Sequence, residues 1–157
     1  MGYGKTYYCK KCKKEYDVKV GNGFLYQNDL EWETNKGYWG MYGEEYKKII
    51  TEIPYAYIET NKYLYYCQNC HHFEVDMEMS IYKIKPERLS NEEKEHPNKF
   101  YEKISELKDD DRILVKEYER FCPKCQTKLE KKKELNIALE CPECKEAMEV
   151  IYDVHWD

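Results

Sequence analysis

Apolar and polar positions alternate in several short runs along this chain, and a period of two predicts strands. Tyr7 and Tyr8 lead into one run, and Tyr16, Val18 and Val20 alternate with polar residues after it, which predicts a hairpin over residues 5–20. Gly21-Asn22-Gly23 breaks it. Residues 56–66 predict a second strand. Phe73, Val75, Met77, Met79 and Ile81 alternate with Glu74, Asp76, Glu78 and Ser80, so 73–81 reads as one strand with an apolar core face and a solvated acidic face. Ile113, Val115 and Tyr118 predict a strand over 112–121. Leu135, Ile137 and Leu139, then Met148, Val150, Tyr152, Val154 and Trp156, predict two more.

Helical spacing is rarer. Tyr46, Ile49 and Ile50 share one side of a helix over Glu44–Thr51, which Pro54 ends. Phe100, Ile104 and Leu107 fall at i, i+4 and i+7, predicting an amphipathic helix that starts near Pro97. Ser90 followed by Glu93 reads as a capping box, and Asp109-Asp110-Asp111 as an exposed turn.

Four breaks in this pattern carry the chemistry: Cys9-x-x-Cys12, Cys67-x-x-Cys70, Cys122-x-x-Cys125 and Cys141-x-x-Cys144. They hold all eight cysteines. Two intervening residues let a tight turn aim both sulfurs at one point, and two such turns supply a tetrahedral zinc site. Cys122, Cys125, Cys141 and Cys144 have zinc-ribbon spacing and are expected to form one site. Cys9, Cys12, Cys67 and Cys70 are then assigned to the other by elimination. Every turn is of one type, so crossed pairings stay open. Four thiolates close a site to substrate, so the two Zn²⁺ ions are expected to be structural, with iron as a substitute. His71 and His72 are read as residues leading into a strand. The position after each second cysteine, where a left-handed backbone points amides at sulfur, holds Lys13, His71, Gln126 and Lys145 instead of glycine.

Composition fits a metal-dependent fold. The chain has 157 residues, 41% hydrophobic and 36% charged, so modules of half its length have thin cores that metal must supplement. Seventeen tyrosines against four phenylalanines imply rings at the boundary of core and water. The formal charge is −5, which falls to about −9 with two Zn-tetrathiolate centres and weighs against unspecific attraction to phosphate. No run reaches membrane length. Paired cysteines held as metal ligands suit a reducing, cytoplasmic setting.

The expected fold class is a small metal-stabilised protein, mainly β with short helices, built from two zinc-ribbon or rubredoxin-like modules. Residues 1–85 are the N-terminal ribbon module with an aromatic insertion, 86–120 a helical insertion or linker, and 121–157 the C-terminal ribbon. Residues 24–46, rich in aromatics and with glycines at 37, 40 and 43, read as an irregular flap over the first metal site.

Tyr8-Cys9-x-x-Cys12, Gly21-Asn22-Gly23-Phe24-Leu25-Tyr26, Gly43-Glu44-Glu45, Cys67-x-x-Cys70, Cys141-Pro142-Glu143-Cys144 and the closing Trp156-Asp157 together resemble a group of bacterial, clostridial-type proteins with two zinc ribbons and no established activity. That resemblance implies the architecture and supplies no catalytic residues. Residues 8–17 are also similar to the first knuckle of rubredoxin, which implies an iron-bound electron carrier as an alternative. The second knuckle lacks the rubredoxin Pro and Gly.

No nucleophile–base pair, phosphate loop or open metal site stands out, so the chain is read as non-catalytic. The leading expectation is an adaptor or regulator acting through protein contacts at Trp32, Trp39 and Tyr42. Nucleic-acid binding through a basic tip at Lys131, Lys132 and Lys133 is the alternative.

Overall fold

In this computed structural model, which describes residues 2–156, the N-terminal hairpin forms as β1 (Gly2–Cys9) and β2 (Lys14–Gly21), joined by the first cysteine turn. Asp157, the last residue of the resemblance, lies outside the described residues. Chain order continues with α1 (Tyr26–Tyr38), α2 (Glu44–Glu52), β3 (Ala56–Ile58), β4 (Lys62–Tyr66), β5 (Phe73–Met77) and β6 (Ile81–Ile84). It ends with α3 (Asn91–Glu95), α4 (Pro97–Ile104), β7 (Arg112–Lys116), β8 (Glu130–Lys132) and β9 (Glu149–Trp156). The protein is mainly β with short helices, as its pattern predicts.

The division of the chain differs from the expected 1–85, 86–120 and 121–157. One compact unit gathers 1–23, 61–77 and 119–157; the other gathers 24–60 and 78–118. The chain passes back and forth between them, so neither is a continuous segment.

The first unit carries a sheet in the order β5-β4-β2-β1-β9, with β8 also paired to β4. Its core joins Tyr7, Val18, Val20, Leu64, Leu135, Leu139 and Met148 to Cys9 and Cys141. Each fully buried leucine here contributes about 1.5–3 kcal/mol by leaving water. Residues 133–140 form no strand, contrary to the alternation of Leu135, Ile137 and Leu139. Leu135 and Leu139 are nonetheless buried. The Tyr3 and Tyr7 hydroxyls donate to the Lys133 and Ile137 carbonyls at 2.8 and 3.2 Å, and hold this segment in place of a ladder.

The alternation from Met148 to Trp156 is also interrupted. Tyr152 pairs opposite Thr6 but Val150 opposite Tyr7, so Ile151 is an extra, bulged residue. A bulge moves the following residues to the other face. Val150 therefore shares the face of Tyr7, while Tyr152, Val154 and Trp156 share that of Thr6, Gly4 and Gly2.

The second unit sets the sheet β3-β6-β7 against helices. Tyr26, Leu30, Tyr57, Ile84, Phe100, Tyr101 and Ile104 form one cluster, and Tyr46, Ala56, Ile58 and Ile81 another. Two helical expectations hold: α2 ends before Pro54, and α4 starts at Pro97 with Phe100 and Ile104 buried. Ser90 and Glu93 form the capping box of α3.

The expected strand over 73–81 is two strands in different units. Met79 has φ +63° and breaks it. Glu78 and Ser80 are buried, not solvated. The Tyr82 hydroxyl donates to Glu78 at 2.5 Å, and Ser80 Oγ accepts the Tyr118 amide at 3.0 Å. Likewise 56–66 splits into β3 and β4. Residues 24–46, expected as an irregular flap, belong to the second unit and hold α1 and the start of α2.

Candidate metal centre

All four cysteine turns adopt one backbone form. The amide of the residue after each second cysteine donates to the carbonyl of the first, in Lys13→Cys9, His71→Cys67, Gln126→Cys122 and Lys145→Cys141, at 2.8–3.0 Å. Those four residues have φ of 55–65°. A non-glycine there costs roughly 1–2 kcal/mol each, small beside the on the order of 10–16 kcal/mol of a structural zinc. The reward is a bent turn whose amides face sulfur. Cys12 N–H reaches Cys9 Sγ, and Cys70 N–H reaches Cys67 Sγ, both at 3.4 Å.

The turns assemble into two tetrads, Cys9-Cys12-Cys141-Cys144 and Cys67-Cys70-Cys122-Cys125, each with its sulfurs within 4.8 Å of one another. This corrects the pairing expected from spacing. First joins fourth and second joins third, and both tetrads lie in the first unit instead of one per module.

Two forces explain the choice. Cys9 ends β1 and Met148 precedes β9, and those strands are neighbours in the sheet. β4 leads into the second turn and pairs with β8, which follows the third. Charge then reinforces the first partnership. Lys10 pairs with Glu149 at 3.3 Å, Lys11 with Glu146 at 3.9 Å, and Lys14 with Glu143. The basic first turn thus meets the acidic fourth. The second turn is neutral, and Gln68 donates to Glu130 at 2.8 Å.

The donor sets fit a tetrahedral cation. A metal–sulfur bond near 2.3 Å places sulfurs about 3.8 Å apart. Sulfur pairs here lie at 3.5 Å (Cys9–Cys144), 3.9 Å (Cys12–Cys141), 3.5 Å (Cys67–Cys125) and 3.2 Å (Cys70–Cys122). Within each tetrad the surroundings pull individual thiols in opposite directions. Hydrogen bonds from Thr127 hold Cys125 down to about 5, and amides of Cys144 and Glu143 hold Cys141 down to about 6. Hydrogen bonding to Cys144 and burial push Cys12 up to about 12. At Cys70 the His72 backbone pulls the other way but is outweighed by Cys122 and burial, leaving it raised to about 11. A dication at the centre would stabilise all four thiolates.

His71 and His72 stand outside the tetrads. His71 stacks on Tyr66 with centroids 5.9 Å apart and bonds Glu140 through Nδ1 at 2.5 Å; His72 Nε2 lies 3.2 Å from Glu74.

The remaining candidates divide. Trp32 and Trp39 are exposed, 56% and 55%, and meet edge to face with centroids 6.0 Å apart. Tyr42 is instead a packing residue: it is half-buried and its hydroxyl bonds buried Glu33. Lys131 and Lys132 are no free tip, because both belong to β8 and Lys133 follows at its end. Lys131 lies over the Tyr63 ring at 4.7 Å, and Lys132 pairs with Glu130 at 2.9 Å.

Sequence reading missed a buried ionic centre in the second unit. Glu59 bonds Arg112 and accepts from the Tyr26 hydroxyl at 2.7 Å. Arg112 also donates to the Tyr57 hydroxyl at 3.0 Å and stacks on the Tyr82 ring at 4.5 Å. Nothing local marked Glu59, though three apolar residues precede it in Ala56-Tyr57-Ile58.

Among the described residues, no helix is long and apolar enough to cross a membrane. No family model, no curated protein and no solved structure matches the chain.

Proposed function

We propose that this chain is a non-catalytic module, held together by two zinc ions, that acts through protein contacts. Four soft thiolates per site favour zinc, with iron as a substitute. A tetrahedral ion with four protein ligands has no position left for a substrate, so its role is structural. The observation that carries the binding role is the Trp32–Trp39 pair. Two adjacent indoles, each more than half exposed, lie on the unit without the metal ligands. Exposed aromatic anchors of this kind supply most of the energy of protein interfaces.

Elemental analysis should find two zinc ions per chain. Trp32→Ala and Trp39→Ala should keep both ions and the fold, yet lose capture of a protein partner from native extract. Unchanged capture by both variants would refute the contact surface. Iron in place of zinc with reversible oxidation would instead favour an electron carrier. Binding of single-stranded DNA tighter than about 100 μM at low salt, in the range of unspecific binders, would favour nucleic acid.

A further inference from the structure

Helix α1 carries apolar side chains on two faces, one buried and one open to water. Tyr26, Leu30, Glu33, Thr34 and Gly37 are buried in the second unit. On the opposite side Leu25, Trp32 and Trp39 recur every seven residues, 50–56% exposed. Asn28 and Asn35 fill the positions between them. Apolar residues at heptad spacing present a seam to a second helix. Phe24 and Met41, 86% and 65% exposed, extend the patch past both ends of the helix.

The geometry points to a second copy of this chain as the occupant, with the two α1 helices packed antiparallel about Trp32. The inference rests on the contact surface proposed above and names what fills it. Charge complementarity supports a second copy as the partner. Asp29 lies one turn before Trp32 on this side, and Lys36 one turn after it. Antiparallel packing sets Asp29 of each copy beside Lys36 of the other, twice over. Parallel packing would instead pair Lys36 of each copy with Glu31 of the other and leave Asp29 without a cation. Lys36 is already poised, with its ammonium 5.8 Å from the Trp32 ring and 2.8 Å from Glu33, and its side chain remains 20% exposed.

The same arrangement lays Phe24 and Leu25 of one copy against Trp39 and Met41 of the other. The five exposed apolar residues, Phe24, Leu25, Trp32, Trp39 and Met41, offer on the order of 100 Å² each. Two such patches together reach the roughly 1,000 Å² that a specific interface requires.

Sedimentation of the zinc-loaded full chain, from about 1 μM to about 1 mM, should show a reversible monomer–dimer equilibrium. Trp32→Asp should abolish it with metal content and circular dichroism unchanged. Asp29→Lys and Lys36→Asp should each weaken self-association at least tenfold, and an equimolar mixture of the two should restore a heterodimer. A chain that stays monomeric throughout, or a dimer indifferent to all three substitutions, overturns the inference. A monomer that still captures another protein through Trp32 overturns self-association while leaving the contact surface standing. A dimer with no such capture does the reverse.

Discussion

Cys9 Sγ and Cys144 Sγ lie 3.5 Å apart although 135 positions separate them in sequence. The first and last cysteine turns therefore close on each other, and the second and third close between them. The expected consequence is a rule about paired losses. Cys12→Ala with Cys144→Ala damages one tetrad and should leave one ion per chain in native mass spectrometry. Cys12→Ala with Cys70→Ala damages both and should leave none. The opposite pattern would restore the pairing expected from spacing. Full chelation should unfold the first unit, because two ions at about 10 kcal/mol or more each together exceed the roughly 5–15 kcal/mol by which domains are stable.

The ion pairs beside the first tetrad are exposed, with side chains 48–78% accessible. Solvent screens exposed pairs of this kind, so they add little to stability. Reversing Lys10, Lys11 and Lys14 to Glu should not unfold the protein. It should let a competing chelator remove one of the two ions at lower concentration, since three added negative charges face a centre that is already anionic. High salt should narrow the difference between variant and native protein.

Buried Glu59 and Arg112 should respond differently. Glu59 is 1% exposed and Arg112 15%. Removing one partner leaves the other charged and desolvated, so Arg112→Met should cost about 3–5 kcal/mol. Glu59→Met with Arg112→Met should recover much of that loss. Thermal or urea denaturation of the native chain, both single variants and the double variant, with metal content held at two ions, measures the coupling.

Alkaline pH should destabilise the second unit through its tyrosines. Burial, then the Glu59 carboxylate, raises the ionisation of both Tyr26 and Tyr57 above the usual value near 10. A phenol whose folded pKa is raised contributes stability that is complete below about pH 10. That stability is lost as pH climbs through the folded value. The melting temperature should fall above pH 10, and the last tyrosinate absorbance should appear together with unfolding. Tyr26→Phe should flatten the alkaline limb.

Gly4 should tolerate no side chain. A Cβ there would stand 2.8 Å from the Val18 carbonyl oxygen and 3.3 Å from the Trp156 ring. The first neighbour is backbone and cannot swing aside. Gly4→Ala should cost about 1–3 kcal/mol as overpacking and shift Trp156 fluorescence.

Elements set by neighbouring residues were readable in the sequence. The hairpin around the first turn, the helix from Pro97, the Ser90–Glu93 cap and the four cysteine turns all follow from spacings shorter than eight residues. The helix α1 was hidden because its buried face includes Glu33, Thr34 and Gly37 while Trp32 and Trp39 face outward. Its apolar period is thereby blurred. The alternation from Phe73 to Ile81 hid a crossing between units at Met77 and Glu78. One long-range clue did stand in the sequence: lysines at 10, 11 and 14 around one turn and glutamates at 143, 146 and 149 around another.

By itself the sequence determined that eight cysteine sulfurs would be presented in four bent turns of one backbone form, because a two-residue gap fixes that geometry locally. Which turns converge on one site, and which carboxylate lies buried beside which guanidinium, was decided by tertiary structure. Four equivalent turns carry the same local energy in every pairing. Only the sheet that brings β1 beside β9 and β4 beside β8, with the charges it aligns, separates one partnership from another.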